Sequence, residues 1–133
     1  LFNIDIASFH LGTPSAYLLQ QRVVTLRDTL EKRGFQDMPI AIEEIGLCSK
    51  DFNEEVRAQK FKELYETAKK LDVPIFIWWC LRDIPFDPNA IDGDRINVEP
   101  HTCGIFNADF SKKDFSTDVA IEIGKDATTL SFE

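Results

Sequence analysis

The stretch that decides the fold is Pro39–Gly46, with the sequence PIAIEEIG, a short apolar run that ends in two adjacent carboxylates and a glycine. Buried strands of α/β sheets have such runs, and ligands in these folds bind where the parallel strands end. The stretch therefore predicts a buried strand from Ile40 to Ile45 that carries its carboxylates to a site at the edge of the sheet.

A β-α unit precedes this strand. Phe2 to Phe9 has strand-like sequence and leads to His10, and Thr13-Pro14 predicts a helix N-cap followed by proline at the first helical position. Gly34 is a helix stop signal. The helix between them has apolar residues at intervals of three and four, namely Ala16, Leu19, Val23, Leu26 and Leu30.

A second unit follows. The pattern predicts a helix from about Asn53 to Leu71 and a third strand from Ile75 to Leu81, and the inner stripe of that helix is Phe61, Leu64, Ala68 and Leu71. Arg82 to Cys103 has no helical period and predicts a long loop. A weaker helix is predicted around Phe115 to Ile123, and Thr128 to Phe132 alternates as in a short strand.

An internal repeat supports this organisation. Pro39–Ile42 and Pro74–Ile77 share the pattern P-I-x-I at an offset of thirty-five residues. A repeated β-α module predicts parallel strands joined by right-handed crossovers. The same offset carries Glu44 onto Trp79, so a carboxylate and an indole are expected at the same level of the sheet.

Composition limits the class of partner. The 133 residues are 44% hydrophobic and carry a net charge of -8, which predicts one folded, soluble domain and argues against a nucleic-acid or membrane partner. No apolar run reaches the length of a membrane span. The odd number of cysteines, without metal-type spacing, argues against a disulfide scaffold and a structural zinc; free thiols, or one pair and one free thiol, both fit.

The two carboxylates of the central strand are candidate catalytic groups. Strand alternation predicts that Glu43 and Glu44 point to opposite sides of the sheet, so that one is functional and the other supporting. Glu44 shares the parity of Ile40 and Ile42 and fits a nucleophile or a general acid or base. The alternative is a solvated glutamate at a strand end.

Aromatic and polar residues at the other strand ends complete the candidate site. Trp78 is assigned to packing against helices, whereas Trp79, on the parity of Ile75 and Ile77, is expected at the sheet edge, where its flat face can stack on a sugar ring. His10 is a candidate polar contact, although a lone histidine at a strand end is more often structural. Asp83 either orients a neighbour or opens the following loop.

In their order, these motifs resemble the last three β-α units of clan A glycoside hydrolases, the retaining (β/α)8 enzymes that include cellulases and β-mannanases. PIAIEEIG is similar to the family's strand-seven motif, which has a form near I-T-E-F-G, and IFIWWCLRD is similar to strand eight. Ser8-Phe9-His10 resembles the end of strand six, but the tyrosine of the family's H-x-Y pattern is absent. Gly104–Lys112 resembles the stretch that leads into the closing helix. The resemblance spans about Phe2 to Ile123.

The resemblance implies hydrolysis of β-glycosidic bonds with net retention. It makes Glu44 the nucleophile, Trp79 and His10 substrate-binding residues, and Glu43 and Asp83 supporting groups, with no cofactor and no metal. The missing tyrosine leaves the local substrate contacts open.

The resemblance also implies that the chain is one part of an enzyme. Residues 1–124 would be the C-terminal half of a (β/α)8 TIM barrel, an α/β fold of about 250 residues, and residues 125–133 a tail. The acid/base glutamate would lie upstream of Leu1, so the expected partners are a carbohydrate substrate and the N-terminal half of the same barrel. The alternatives are a non-catalytic carbohydrate-binding barrel and a self-contained flavodoxin-like α/β domain.

Overall fold

A computed structural model of the chain describes residues 5–49, 51–84 and 102–127, with side chains up to residue 124 in the last helix. Three parallel strands form one sheet in the order β1-β2-β3. The elements follow in the order β1 (Ala7–His10), α1 (Ala16–Lys32), β2 (Ile40–Ile45), α2 (Glu54–Lys70), β3 (Ile75–Trp78) and α3 (Asp114–Ala127). The fold is therefore mixed α/β, with a helix between successive strands.

Most predicted elements occur, with shifted ends. β2 has the predicted bounds, α2 lies within its predicted range and α3 extends beyond its predicted range at both ends. The described strand β1 begins at Ala7, and residues 2–4 of its predicted range lie outside the described residues. β3 stops at Trp78 instead of continuing to Leu81. The predicted strand at residues 128–132 and most of the predicted loop, residues 85–101, lie outside the described residues.

The N-cap of α1 differs from the predicted one. Ser15, not Thr13, is the cap residue, because its backbone is extended and its hydroxyl oxygen accepts a hydrogen bond from the Leu18 amide at 3.4 Å. The predicted stop at Gly34 is confirmed, since this glycine has a φ of 81° just after the C-cap Arg33. A left-handed residue after the C-cap is a common helix ending that favours glycine.

The residues group into two compact units, one within Leu1–Ile45 and Lys60–Trp78 and the other within Gly46–Gln59 and Trp79–Glu133. The first unit contains the sheet and an apolar core. Ile40, Ile42 and Ile45 of β2 are fully buried in that core. The same core contains buried residues of helices α1 and α2 and of the adjoining segments: Leu19, Val23, Leu64, Ala68, Leu11 and Val73. The predicted inner stripes of α1 and α2 therefore supply the packing of the sheet.

The central strand contains a bulge that the alternation rule did not predict. Phe9 pairs with Ile42, but the next residue of β1, His10, pairs with Glu44. Against β3, Ile42 pairs with Phe76 and Ile45 pairs with Trp78. β2 thus has one residue more than each neighbour over this stretch, which reverses its alternation. This reversal lets Ile45 join Ile42 in the core although the two are three positions apart.

Buried Arg57 of α2 organises the second unit. Its guanidinium donates to the Leu47 carbonyl oxygen at 2.9 Å, to the Gly104 carbonyl oxygen at 2.8 Å and to the Glu54 carboxylate at 2.6 Å. The same group lies 4.4 Å from the ring centroid of Phe115. Arg57 therefore joins the segment after β2, the segment around Gly104 and the start of α3.

The strand order argues against the alternative of a self-contained flavodoxin-like domain. A self-contained flavodoxin-like sheet places its first strand between the second and the third. Here the second strand is central, and the order follows the chain, as it does in a barrel. Within the described residues, no helix is both long and apolar enough to cross a membrane.

Candidate active site

The bulge brings Glu43 and Glu44 to the same histidine. Nε2 of His10 lies 3.3 Å from Oε2 of Glu43, and Nδ1 of His10 lies 3.3 Å from Oε2 of Glu44. The prediction that the two carboxylates point to opposite sides is therefore wrong, because it assumed an unbroken alternation. The predicted parity of Glu44 with Ile40 and Ile42 is wrong for the same reason, since those two residues are buried in the core.

Backbone contacts hold this cluster in place at the ends of β1 and β2. The amide of Leu11 donates to the Glu44 carbonyl oxygen at 2.9 Å, which continues the strand pairing beyond His10. Arg22 of α1 donates from Nη1 to the His10 carbonyl oxygen at 2.7 Å. The three side chains are each about half exposed, His10 at 61%, Glu43 at 49% and Glu44 at 46%. They are therefore accessible to a ligand on the face opposite the apolar core.

The backbone of Trp79, in the second unit, is packed against Gly46. A Cβ at position 46 would collide with the Trp79 carbonyl oxygen, so the close approach requires glycine. Trp79 as a whole residue is 39% exposed. Trp78, in the first unit, packs with its ring centroid 5.2 Å from that of Phe61 in α2. The predicted packing role of Trp78 is therefore confirmed.

Asp83 has structural partners in the second unit. Its Oδ1 accepts from the Gly104 amide at 2.9 Å and from Lys113 Nζ at 2.7 Å. Lys113 is nearly buried and also lies 3.2 Å from the Gly104 carbonyl oxygen. These contacts join the segment after β3 to the segment before α3. The carboxylate of Asp83 therefore orients neighbouring backbone, one of the two roles that the sequence left open.

The cysteines form one pair and leave one thiol. A disulfide joins Cys48 to Cys103, and Cys80 is free. Burial and, second, the Asp83 carboxylate raise the pKa of the Cys80 thiol. The protonated thiol then donates to the Arg82 carbonyl oxygen at 2.8 Å. Of the two arrangements that the sequence left open, the structure has the pair and the free thiol.

Two features of the site were not predicted from the sequence. The bulge has a signal in the sequence, because the buried isoleucines Ile40, Ile42 and Ile45 are spaced by two and then by three residues. The second feature is Arg22, which no motif indicates, since an arginine on an amphipathic helix is ordinarily a solvated residue. Across residues 5–49, 51–84 and 102–127, no three His, Cys, Asp or Glu side chains group as metal ligands.

The fold matches part of a class of solved structures, the TIM-barrel glycoside hydrolases. GH5_18 from Bifidobacterium longum subsp. longum, as a variant in complex with Manβ1-4GlcNAc, aligns over 97% of this chain at a TM-score of 0.64 and 14% identity. A GH5_18 variant from Streptomyces cattleya, also in complex with Manβ1-4GlcNAc, aligns over 96% at a TM-score of 0.64 and 16% identity. The chain spans 32% of the length of each of these chains.

A second type of structure has the same fold over this region. The β-glucuronidase of Faecalibacterium prausnitzii aligns over 98% of this chain, but over 23% of its own, at a TM-score of 0.57 and 15% identity. No protein-family model matches the sequence, and no curated protein matches it. At these identities, the likeness concerns the fold.

Proposed function

We propose that this chain is the C-terminal part of a (β/α)8 barrel in a retaining glycoside hydrolase that acts on β-linked sugars. The observation that supports the proposal most is the cluster of His10, Glu43 and Glu44, which lies at the strand ends of a sheet whose fold matches glycoside hydrolases. In TIM-barrel enzymes, catalytic groups lie at the carboxyl ends of the strands. A carboxylate at that position can act as a nucleophile.

In this proposal, Glu44 attacks the anomeric carbon and forms the covalent glycosyl-enzyme intermediate. Trp79 provides an exposed apolar face for stacking on a sugar, and His10 contacts Glu44 and the substrate. Glu43 and Asp83 support the site. Because two solved neighbours hold Manβ1-4GlcNAc, a β-mannoside is the substrate class to test first.

The proposal also requires the N-terminal part of the barrel. Retaining hydrolysis needs a second carboxyl group about 5 Å from the nucleophile to protonate the leaving oxygen. The family resemblance puts that group on strand four, which is not among the strands described here. A groove at the side of β1 and α1, lined in part by Phe9, Leu18 and Leu26, provides a surface for the preceding β-α unit.

Mechanism-based labelling tests the assignment of Glu44. We expect 2-deoxy-2-fluoro-β-mannosyl fluoride, applied to the full-length protein, to inactivate it and to label the peptide that contains Glu44. Glu44→Gln should abolish both labelling and turnover of an aryl β-mannoside. Glu31→Gln, at an exposed position of α1, is the matched control and should leave both unchanged.

A label on another residue would refute the role of Glu44. Sugar binding without labelling or turnover of any aryl β-glycoside would instead favour a carbohydrate-binding barrel that has no catalytic activity. Labelling only by the corresponding glucosyl fluoride would change the sugar but leave the mechanism in place.

A further inference from the structure

The bulge in β2 turns the Glu44 carboxylate toward the site. In a regular strand, this side chain would point toward the helices. In a regular strand, Ile42 and Glu44 would share one side, and Glu43 would lie on the other. The extra residue instead places both glutamates within 3.3 Å of His10, one at each ring nitrogen. An imidazole held by two carboxylates has little freedom to rotate.

Each ring nitrogen of His10 has its own carboxylate neighbour. Nε2 lies 3.3 Å from Glu43, and Nδ1 lies 3.3 Å from Glu44. Each imidazole nitrogen has a single hydrogen-bonding position in the plane of the ring. The two glutamates therefore set the orientation of the ring together.

We propose that Glu43 is a positioning residue for the nucleophile: it holds the His10 ring at Nε2 so that Nδ1 faces Glu44. This inference rests on the proposed function, because it takes Glu44 as the nucleophile. In the described part of this unit, the charged side chains that reach His10 are Glu43 and Glu44 of β2 and Arg22 of α1. The last of these contacts the His10 backbone, not the ring.

The arrangement has a consequence during the reaction. When an oxygen of Glu44 bonds to the anomeric carbon, the bond from that carbon to the leaving oxygen breaks, the leaving oxygen is protonated by the second carboxyl group, and Glu44 becomes a neutral ester. The ring of His10 then has Glu43 as its remaining carboxylate partner. Glu43 thus keeps the ring in place until water releases the sugar and Glu44 is ionised again.

Kinetics of variants separate a positioning role from a structural one. We expect Glu43→Gln in the full-length protein to slow labelling by the fluorosugar about ten- to a hundredfold, because small displacements of reacting groups cost rates of this order. KM and the melting temperature should change little. In a His10→Ala background, Glu43→Gln should have no further effect, because Glu43 acts through His10. Glu31→Gln again serves as the control.

Nuclear magnetic resonance gives a readout that does not depend on turnover. With ¹⁵N-labelled histidine, and with His10 assigned by loss of its signals in His10→Gln, the ring-nitrogen signals of His10 can be compared between the wild-type protein and Glu43→Gln. We expect these signals to shift in Glu43→Gln, because the carboxylate next to Nε2 is replaced by a neutral amide, and to stay unchanged in Glu31→Gln. Only two histidines occur in this chain, which simplifies the assignment.

The outcomes distinguish the two proposals. An inactive, unlabelled wild-type protein whose His10 still changes in Glu43→Gln would refute the proposed function but support the contact of Glu43 with His10. An active protein in which Glu43→Gln changes neither labelling nor the His10 signals would overturn the positioning role alone. Rescue of Glu43→Ala by azide would also overturn it, because rescue would make Glu43 one of the two reacting carboxylates: the acid/base if the glycosyl azide has retained configuration, the nucleophile if it is inverted.

Discussion

Arg57 shows how a single charged residue can be stabilised inside a protein. It lies on the stripe of α2 that continues through Phe61, Leu64 and Ala68, and it is as buried as they are. A buried charge is tolerated only when it is paired and its donors are satisfied. Leu47, Gly104 and Glu54 supply those acceptors. The sequence analysis did not predict the burial of Arg57, because its acceptors come from segments that only the tertiary structure brings to it.

We predict that Arg57→Lys lowers the free energy of unfolding by about 3 kcal/mol, as in other buried ion pairs that lose a partner. An ammonium group cannot reproduce the planar, multidentate geometry of the guanidinium. Urea denaturation of the protein measures the loss. Arg33→Lys, at an exposed position after α1, is the matched control and should stay within about 0.5 kcal/mol of wild type. Equal effects of the two substitutions would contradict the role of Arg57.

At the level of secondary structure elements, β2 combines two conflicting demands. Its isoleucines must face the core, and its two glutamates must both avoid it. A regular six-residue strand cannot satisfy both, because alternation would put Glu44 into the core face or Ile45 out of it. The bulge resolves the conflict by adding one residue between Ile42 and Ile45.

Deletion of Glu43 should therefore leave the fold intact. The shortened strand would alternate regularly, with all three isoleucines on the core face and Glu44 on the other. We predict an unfolding free energy within about 1 kcal/mol of wild type, as for changes outside the core. Deletion of Ala41 is the control and should cost about 2 to 5 kcal/mol, because it turns a core isoleucine outward. Chemical denaturation followed by circular dichroism compares them, and a larger loss for the Glu43 deletion would refute the bulge.

On the scale of the whole molecule, the second unit has a covalent cross-link. The disulfide between Cys48 and Cys103 spans 55 residues of sequence. Cross-links stabilise mainly by restricting the unfolded chain, and more so for longer loops.

We expect Cys48→Ser to lower the free energy of unfolding by about 2 to 4 kcal/mol. Cys80→Ser, which leaves the pair untouched, should have a smaller effect. Denaturation under non-reducing conditions measures both changes, and mass spectrometry of the unreduced protein locates the bond. Three reactive thiols in the unfolded, unreduced protein would contradict the pairing.

The groove beside β1 provides a prediction about assembly. If the preceding β-α unit of the barrel packs there, Leu18→Glu should weaken association between this chain and a co-expressed N-terminal part of the barrel. Leu18 lines the groove, whereas Val24, which is also exposed on α1, does not. Val24→Glu is therefore the matched control. Co-purification of the two parts measures association, and equal behaviour of the two variants would exclude the groove as the docking surface.

The sequence alone predicted the presence of the three helices and three strands of the described residues, though not all of their ends, and the position of the glutamates at a strand end, because these features depend on local patterns of apolar residues. β2, the inner stripes of α1 and α2 and the stop at Gly34 follow from such patterns. The face to which Glu43 points and the partner of His10 were decided only by the tertiary structure. Both depend on register between neighbouring strands, and a single bulge reverses the side of every residue after it.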